Sequence, residues 1–369
     1  MQSISEHTGN SGSFPVSRKF TIFEDHKTQA NKFKWKGVHI TFLGFKMEIK
    51  DKKVLITGGA GNIGSHIADA VIEEGAKEVI IIDDFTRGRE ENLAWAVKHG
   101  NVRIIKGDIC DRELLSKSLK GVDYVFHQAA IRITQCQEDP LLAKKVLIDG
   151  TFSVFDEAIK AGVKKVVFAS SASVYGNPSY LPMDEKHPFN NTTFYGAGKI
   201  ANEELAKAFR EKYGMNYIGL RYFNVYGPRM DIYGVYTEVM IRWLDMIKEG
   251  RQPVIFGDGK QSMDFVYVKD IARANILALQ SDVNEGIYNV GTGIETSLNQ
   301  LVKSVLELTN PDLTPIYEKP KNLVIVSRRR ASIEKIKKEL GFEPETGLKD
   351  GLREMIKWKE EQPRGSEKE

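Results

Sequence analysis

Apolar residues crowd together at 54–57 and again at 79–82, with an amphipathic stretch between them. In that stretch Ile63, Ile67, Val71 and Ile72 recur at helical spacing up to Gly75. This predicts a strand, a glycine turn, a helix and a second strand. The alternation continues, with strand-like runs at 102–105, 124–127, 166–169 and 217–222 and helical stretches at 140–161 and 195–213. Strands alternating with helices predict a parallel sheet covered by helices on both faces. Right-handed crossovers then give a doubly wound α/β fold, with ligands at the carboxyl ends of the strands.

Past Tyr222 the pattern loosens. Gly227-Pro228 and Gly257-Asp258-Gly259 read as loops, 236–249 and 297–308 as helices, and 264–268 and 287–290 as short strands. Residues 348–361 read as a last amphipathic helix, so a smaller mixed C-terminal lobe is expected. Residues 1–46 are rich in Ser, Asn, Gly and Thr at their start and show no periodicity, although Phe20, Phe23, Phe33, Trp35 and Phe42 make them less polar than a typical disordered tail. The expected division is an extension at 1–46, outside the fold, and a dinucleotide-binding domain at 47–225 that takes back about 264–291. A substrate-binding lobe at 226–361 and a polar tail at 362–369 complete it. The extension reads either as an appended leader or as a docking or regulatory segment.

Composition narrows the function. Of 369 residues, 41% are hydrophobic and 28% charged, which is ordinary globular composition. The net charge is +3, and it comes from residues 1–46, so the body lacks the basic surplus of a nucleic-acid binder. No apolar run is long enough to cross a bilayer, and the N-terminus lacks the apolar core of a secretory signal. Cys110 and Cys136 belong to no metal-ligand spacing, so the expectation is reduced thiols, no metal and a cytoplasmic protein.

Gly59, Gly61 and Gly64 fit G-x-G-x-x-G, and Gly58, Gly61 and Gly64 fit the related G-x-x-G-x-x-G. Between a strand and a helix, such glycines allow a tight turn and close approach of backbone to a pyrophosphate at the helix start. Asp83 closes the second strand, where a carboxylate can accept hydrogen bonds from an adenosine ribose and repels a 2′-phosphate. NAD is therefore expected rather than NADP, although Arg87 nearby could contact a phosphate and Asp83 could be an ordinary turn residue. Asp108, after the third strand, is a candidate adenine contact. Tyr195 and Lys199 are four apart and share one helix face. Moving a tyrosine pKa from about 10 to about 7 needs roughly 4 kcal/mol, which nearby cations could supply. Ser170, Ser171 and Ser173 follow the fifth strand, where this fold builds its site; they are hydrogen-bond donors for a reacting oxygen or plain turn residues.

These residues carry a resemblance. From about 53 to 359 the chain resembles the extended short-chain dehydrogenase/reductase family, the NAD-dependent nucleotide-sugar epimerases and dehydratases, whose fold is of the Rossmann type. The matching features are the glycine turn, His127-Gln128-Ala129-Ala130, Ser170 to Gly176, Tyr195 to Lys199, Arg221 to Arg229, and Gly257-Asp258-Gly259 leading into Asp264-Phe265-Val266-Tyr267-Val268. The resemblance implies that Tyr195 is the catalytic base, that Lys199 binds the nicotinamide ribose and depresses the tyrosine pKa, and that Ser171 hydrogen-bonds the sugar hydroxyl. It implies cofactor contacts from Gly58, Gly61, Asn62, Ile63, Gly64, Asp83, Asp108, Ile109, Ala129 and Ala130. For a nucleotide-sugar substrate it implies contacts from Asn224, Arg229, Val254 and Phe256. Family members are usually homodimers that pair helices such as those around 140–161 and 195–213.

Two departures matter. Dehydratases of the family place Asp and Glu after the Ser/Thr, whereas this chain has Ala172 and Ser173. That pattern is closer to the UDP-galactose 4-epimerases. The family commonly has an Arg before the Asp-Phe pair to hold substrate phosphate; this chain has Met263, with Arg229, Arg328, Arg329 or Arg330 as candidate replacements. The expectation is C4 epimerisation of a nucleotide sugar, a UDP-hexose above others. The alternatives are a dehydratase, decarboxylase or reductase of the same family, or a silent NAD-binding protein.

Overall fold

The protein is described from a computed structural model covering residues 47–232, 239–320 and 326–362, with the backbone of 22–25, 30–35 and 38–43. It forms two units, Met1–Met47 and Glu48–Glu369. In the first, strands Ile22–Asp25, Ala30–Trp35 and Val38–Leu43 pair antiparallel in that order, where the sequence reading predicts no element. A period-two alternation of Lys with Phe and Trp does exist at 32–35, but four residues are too few to stand out from loop composition.

The second unit is built on seven parallel strands: β1 (Lys53–Thr57), β2 (Glu78–Asp83), β3 (Val102–Lys106), β4 (Tyr124–His127), β5 (Lys165–Ser171), β6 (Tyr217–Tyr222) and β7 (Glu285–Val290). Their order is β3-β2-β1-β4-β5-β6-β7. It reverses between β1 and β4, and a crevice opens at such a switch point. Every residue of β4 and β6 is buried, as expected for strands covered on both faces. The main helices are α1 (Asn62–Glu73), α2 (Thr151–Lys160), α3 (Phe194–Tyr213) and α4 (Val268–Gln280). Thr193 caps α3 by accepting from the Gly196 N–H at 3.1 Å, and left-handed Gly214 ends it.

The helix expected over 140–161 is interrupted. Pro140–Ala143 leads into a π-helical segment, Lys144–Gly150, before α2 begins. The packing around it is close: a Cβ on Gly198 of α3 would sit 2.8 Å from Leu147, and one on Gly150 2.7 Å from Ile109. Asn202, with its amide turned to satisfy both ends, donates to the Leu147 carbonyl at 2.6 Å. A widened turn offers just such a carbonyl.

The short strand Asn224–Tyr226 pairs with Phe265–Tyr267 outside the main sheet. The C-terminal lobe buries Trp243, Tyr226, Tyr267, Leu301 and Met355 in one cluster, assembled from helices Val239–Lys248, Leu298–Thr309 and Leu348–Glu360.

The folded body starts just before β1. Ile49 is buried at 1% exposure, and the Lys52 carbonyl accepts from the Lys77 N–H at 2.8 Å. A chain starting at Met47 is expected to melt at the temperature of the full chain. One starting at Val54 loses Ile49 and the edge bonds, and its melting temperature falls by several degrees. Differential scanning calorimetry of the three chains checks this; an equal loss at Met47 would show that the extension stabilises the body.

Candidate active site

A cleft of about 970 Å³ opens at the carboxyl ends of the strands, on the switch point between β1 and β4. Its floor is the glycine turn. Gly58 has φ +65°, and a Cβ there would meet the Ala129 backbone at 2.7 Å. A Cβ on Gly64 would collide with the Gly58 carbonyl. Gly61 precedes α1 and offers no side-chain cap, so the first N–H groups of α1 remain open toward the cleft. A bare turn that no side chain can fill, leading to an uncapped helix start, fits a dinucleotide pyrophosphate.

Asp83 ends β2 and lines the same cleft. One carboxylate oxygen accepts from the Ala60 N–H and the other from the Phe85 N–H, both at 2.9 Å. Burial pushes its carboxyl up, and these two bonds oppose the shift. Its position at the strand end and its fixed oxygens suit a pair of ribose hydroxyls. Asn62, Ile63, Asp108, Ile109, Ala129 and Ala130 line the cleft with it. Asp108 pairs with Lys145 at 3.0 Å.

Ser171, Tyr195 and Lys199 meet at the other end. Ser171 is the last residue of β5; its hydroxyl accepts from the Ser173 N–H at 3.1 Å and is hydrogen-bonded to the Tyr195 hydroxyl. Tyr195 stands at the start of α3, and Lys199 follows one turn on with its ammonium 5.6 Å from the tyrosine ring centroid. Lys199 donates to the Ala169 carbonyl at 2.8 Å. Burial raises the Tyr195 phenol above its ordinary value, while the Ser171 bond and the charges of Arg87 and Arg329 pull it down. Burial also lowers the Lys199 ammonium to about 8, its strongest opposing influences being Cys136 and Glu203. The chain alone therefore places the pair in a dry wall that disfavours either charge.

Beneath this triad lies a buried ion pair, Arg221–Glu203 at 2.7 Å. Ser170 donates to Glu203, and Arg221 also donates to the Tyr175 hydroxyl at 2.7 Å. This network ties α3 to β5 and β6 and so fixes Tyr195 relative to Ser171.

Asn224 and Arg229 line the cleft too. The Asn224 Oδ1 is buried without a hydrogen-bond partner. Arg229 is committed to an ion pair with Asp69 of α1 at 2.7 Å. Val254 and Phe256 lie outside the cleft lining; Phe256 borders a neighbouring groove of about 610 Å³. The residue that sequence reasoning could not single out is Arg329. Its N–H donates to the Ser262 carbonyl at 2.9 Å, beside Met263, and its side chain reaches the cleft. Arg328 instead turns outward to Glu295, and Arg330 is not part of the lining.

Two buried histidines bracket the cleft floor. His127 of β4 bridges Thr57 at 2.7 Å and Thr151 at 2.9 Å, and His66 of α1 bonds the Asn62 carbonyl at 2.8 Å. Burial first, and then Lys199 for His127 and Arg229 for His66, lower both to about 3. Between about 6.5 and 3 the unfolded chain thus binds protons that the folded one refuses, so stability is full above 6.5 and is lost as pH falls. At pH 5 the two groups contribute a slope of about 2–3 kcal/mol per pH unit. Urea unfolding at pH 6.5, 5.75 and 5 is expected to show this fall; half the slope would mean that one ring is charged in the fold, and a flat profile that both are.

Comparison with known proteins gives a consistent picture. Residues 54–291 match the model of the NAD dependent epimerase/dehydratase family. A solved UDP-N-acetylglucosamine 4-epimerase of Methanobrevibacter ruminantium, in complex with UDP-N-acetylmuramic acid, is 40% identical with TM-score 0.79, covering 84% of this chain and 98% of that one. The UDP-glucose 4-epimerase of Thermotoga maritima, solved with UDP-glucose, is 36% identical with TM-score 0.77, covering 83% and 98%. A UDP-N-acetyl-alpha-D-glucosaminuronate decarboxylase of Bacillus cytotoxicus is 33% identical over 324 residues, covering 83% of this chain and 97% of that protein.

Proposed function

The chain belongs to the NAD-dependent epimerase/dehydratase family, and from that premise we propose that it interconverts a UDP-hexose and its C4 epimer. The observation that carries this reading is the pair of residues after Ser171. Ala172 is buried and has no proton to give, and Ser173 is a neutral hydroxyl. Eliminating water across C5 and C6 needs a base and an acid at that place. Epimerisation does not, because the oxidation is reversed on the same carbon. The likeness to two UDP-sugar 4-epimerases supports the same choice.

Bound NAD supplies a reversible hydride acceptor and a positively charged ring. Tyr195 takes the proton of the sugar 4-hydroxyl and returns it when the alcohol re-forms. Ser171 hydrogen-bonds that oxygen and keeps it in line with the phenol. Lys199 holds its ammonium beside the ring of Tyr195 and stabilises the phenolate. Gly58, Gly61 and the start of α1 receive the dinucleotide pyrophosphate, with Asp83 on the adenosine ribose. Asn224 and Arg329 take the substrate diphosphate. Residues 47–225 and 264–291 thus serve NAD, and 226–361 the nucleotide sugar.

We assign a homodimer as well. Leu141 is 80% exposed, and Phe152 and Tyr213 are about half exposed on the helical faces that family members pair. The two free thiols fit a reducing, cytoplasmic setting.

The test is product identification by NMR with UDP-glucose, UDP-galactose and their N-acetylamino forms. The expected result is the same mixture of C4 epimers from either side with no net NADH. A 4-keto-6-deoxy sugar, or loss of carbon dioxide from a UDP-uronic acid, would overturn the epimerase reading.

A further inference from the structure

The segment 228–232 crosses from the C-terminal lobe to the rim of the cleft, and its side chains alternate. Met230 and Ile232 are buried in the core cluster of the C-terminal lobe. Arg229 and Asp231 make their ion pairs across the cleft with the parallel-sheet domain. Four contacts fasten the segment there. The Asn62 side-chain amide, at the first residue of α1, donates to the Pro228 carbonyl at 2.6 Å. Arg229 pairs with Asp69 on the same helix at 2.7 Å. Asp231 receives Arg87, from the loop after β2, at 3.3 Å and Arg132, from the loop after β4, at 3.0 Å, both on one carboxylate oxygen.

The three elements that Asp231 and Asn62 join are the ones that surround the open start of α1, and all line the one cleft. Arg229 has φ +65°, a left-handed backbone that costs a non-glycine residue about 1 kcal/mol or more. That turn lets residues 229 and 231 face across the cleft while 230 and 232 stay buried. The side chains of Asp231 and Arg132 are 16% and 15% exposed, so their pairing is partly shielded from solvent.

We propose that Asp231 is the pin of an ionic clasp that closes over the dinucleotide groove and sets the rate at which NAD leaves and enters. The clasp rests on the NAD-dependent reading of the cleft. It spans the mouth of the groove at the pyrophosphate end, so a bound dinucleotide cannot exit past α1 until Asp231 releases Arg87 and Arg132. Catalysis by Tyr195 does not require that opening, because the cofactor is restored in each turnover.

The experiment follows exchange of bound NAD for a fluorescent etheno-NAD, with no sugar present, in the full-length protein. Asp231→Asn keeps the shape and removes the charge, and is expected to speed exchange about tenfold through the off-rate. Asp231→Glu should restore much of the slow exchange. Arg87→Gln reaches the pin from the other side, and should speed exchange on its own but add little to Asp231→Asn. Melting temperatures of the dinucleotide-free proteins should stay together. Exchange within twofold of the wild type in Asp231→Asn, or strictly additive effects of the two substitutions, would overturn the clasp. A failure to find an epimerised product leaves this result standing, whereas a protein that binds no dinucleotide overturns both.

Discussion

Replacing Tyr195 with Phe is expected to lower turnover of a UDP-hexose by ~10²–10⁴-fold while the protein keeps its dinucleotide. The substitution removes one oxygen and leaves the ring, which packs against Cys136, Ala143 and Leu147. The start of α3 is set by the Thr193 cap and is untouched, and Lys199 keeps its bond to Ala169. What disappears is the ionisable phenol that Ser171 holds. The loss should therefore fall on kcat, with little change in KM, because the phenol acts in the transition state more than in binding. Burial alone drives this phenol the wrong way, so a second signature follows: the wild type is expected to gain activity with pH on the alkaline side of neutrality, and the residual activity of the variant should lack that rise. Steady-state kinetics from pH 6 to 9, with absorbance at 260 nm to count bound dinucleotide, checks both. Turnover close to wild type would remove Tyr195 from the role of base.

Much of the sheet was legible because most of its strands are short, mainly apolar runs, several of them ended by glycine, Asp or Ser. The runs expected at 54–57, 79–82, 124–127 and 217–222 match β1, β2, β4 and β6 to within a residue at either end. The triad was legible for a related reason. Tyr195 and Lys199 lie on one helix, where spacing fixes the shared face, and Ser171 lies at a strand end, where the fold fixes the direction. Tertiary packing was not. Nothing in 140–161 announces a π segment, and the residues packed closely against it, Gly198 and Ile109, lie elsewhere in the chain. Spacing reveals the nearby charge of Lys199 but not the burial that raises this phenol in the chain by itself. The choice among Arg229, Arg328, Arg329 and Arg330 was equally out of reach. An extended run points successive side chains to opposite faces, but only the pairing of 328 with Ser262 says which face is the cleft.

That choice leads to the second large effect. Arg329→Met is expected to raise the KM for a UDP-sugar at least ~30-fold, the lower end of the 2–5 kcal/mol lost when one partner of a buried charged pair is cut away. Arg329 is half-buried at the cleft, its Nε is buried without a hydrogen-bond partner, and burial lowers the guanidinium to about 10. A desolvated cation needs an anion, and the planar donors of arginine match phosphate oxygens two at a time. Arg329 enters beside Met263, so on the proposed reading it brings to the substrate phosphate the charge that Met263 cannot supply. Met keeps the length and the packing of the stem. Because the charge of Arg329 also helps to lower Tyr195, kcat should fall too, and its alkaline rise should shift to higher pH. Arg328→Met is the control: that side chain is exposed and paired with Glu295, and its loss should change KM by less than about threefold. An unchanged KM in Arg329→Met would assign the substrate diphosphate to other donors, with Arg229 the next to test because its Nη1 is also buried without a partner.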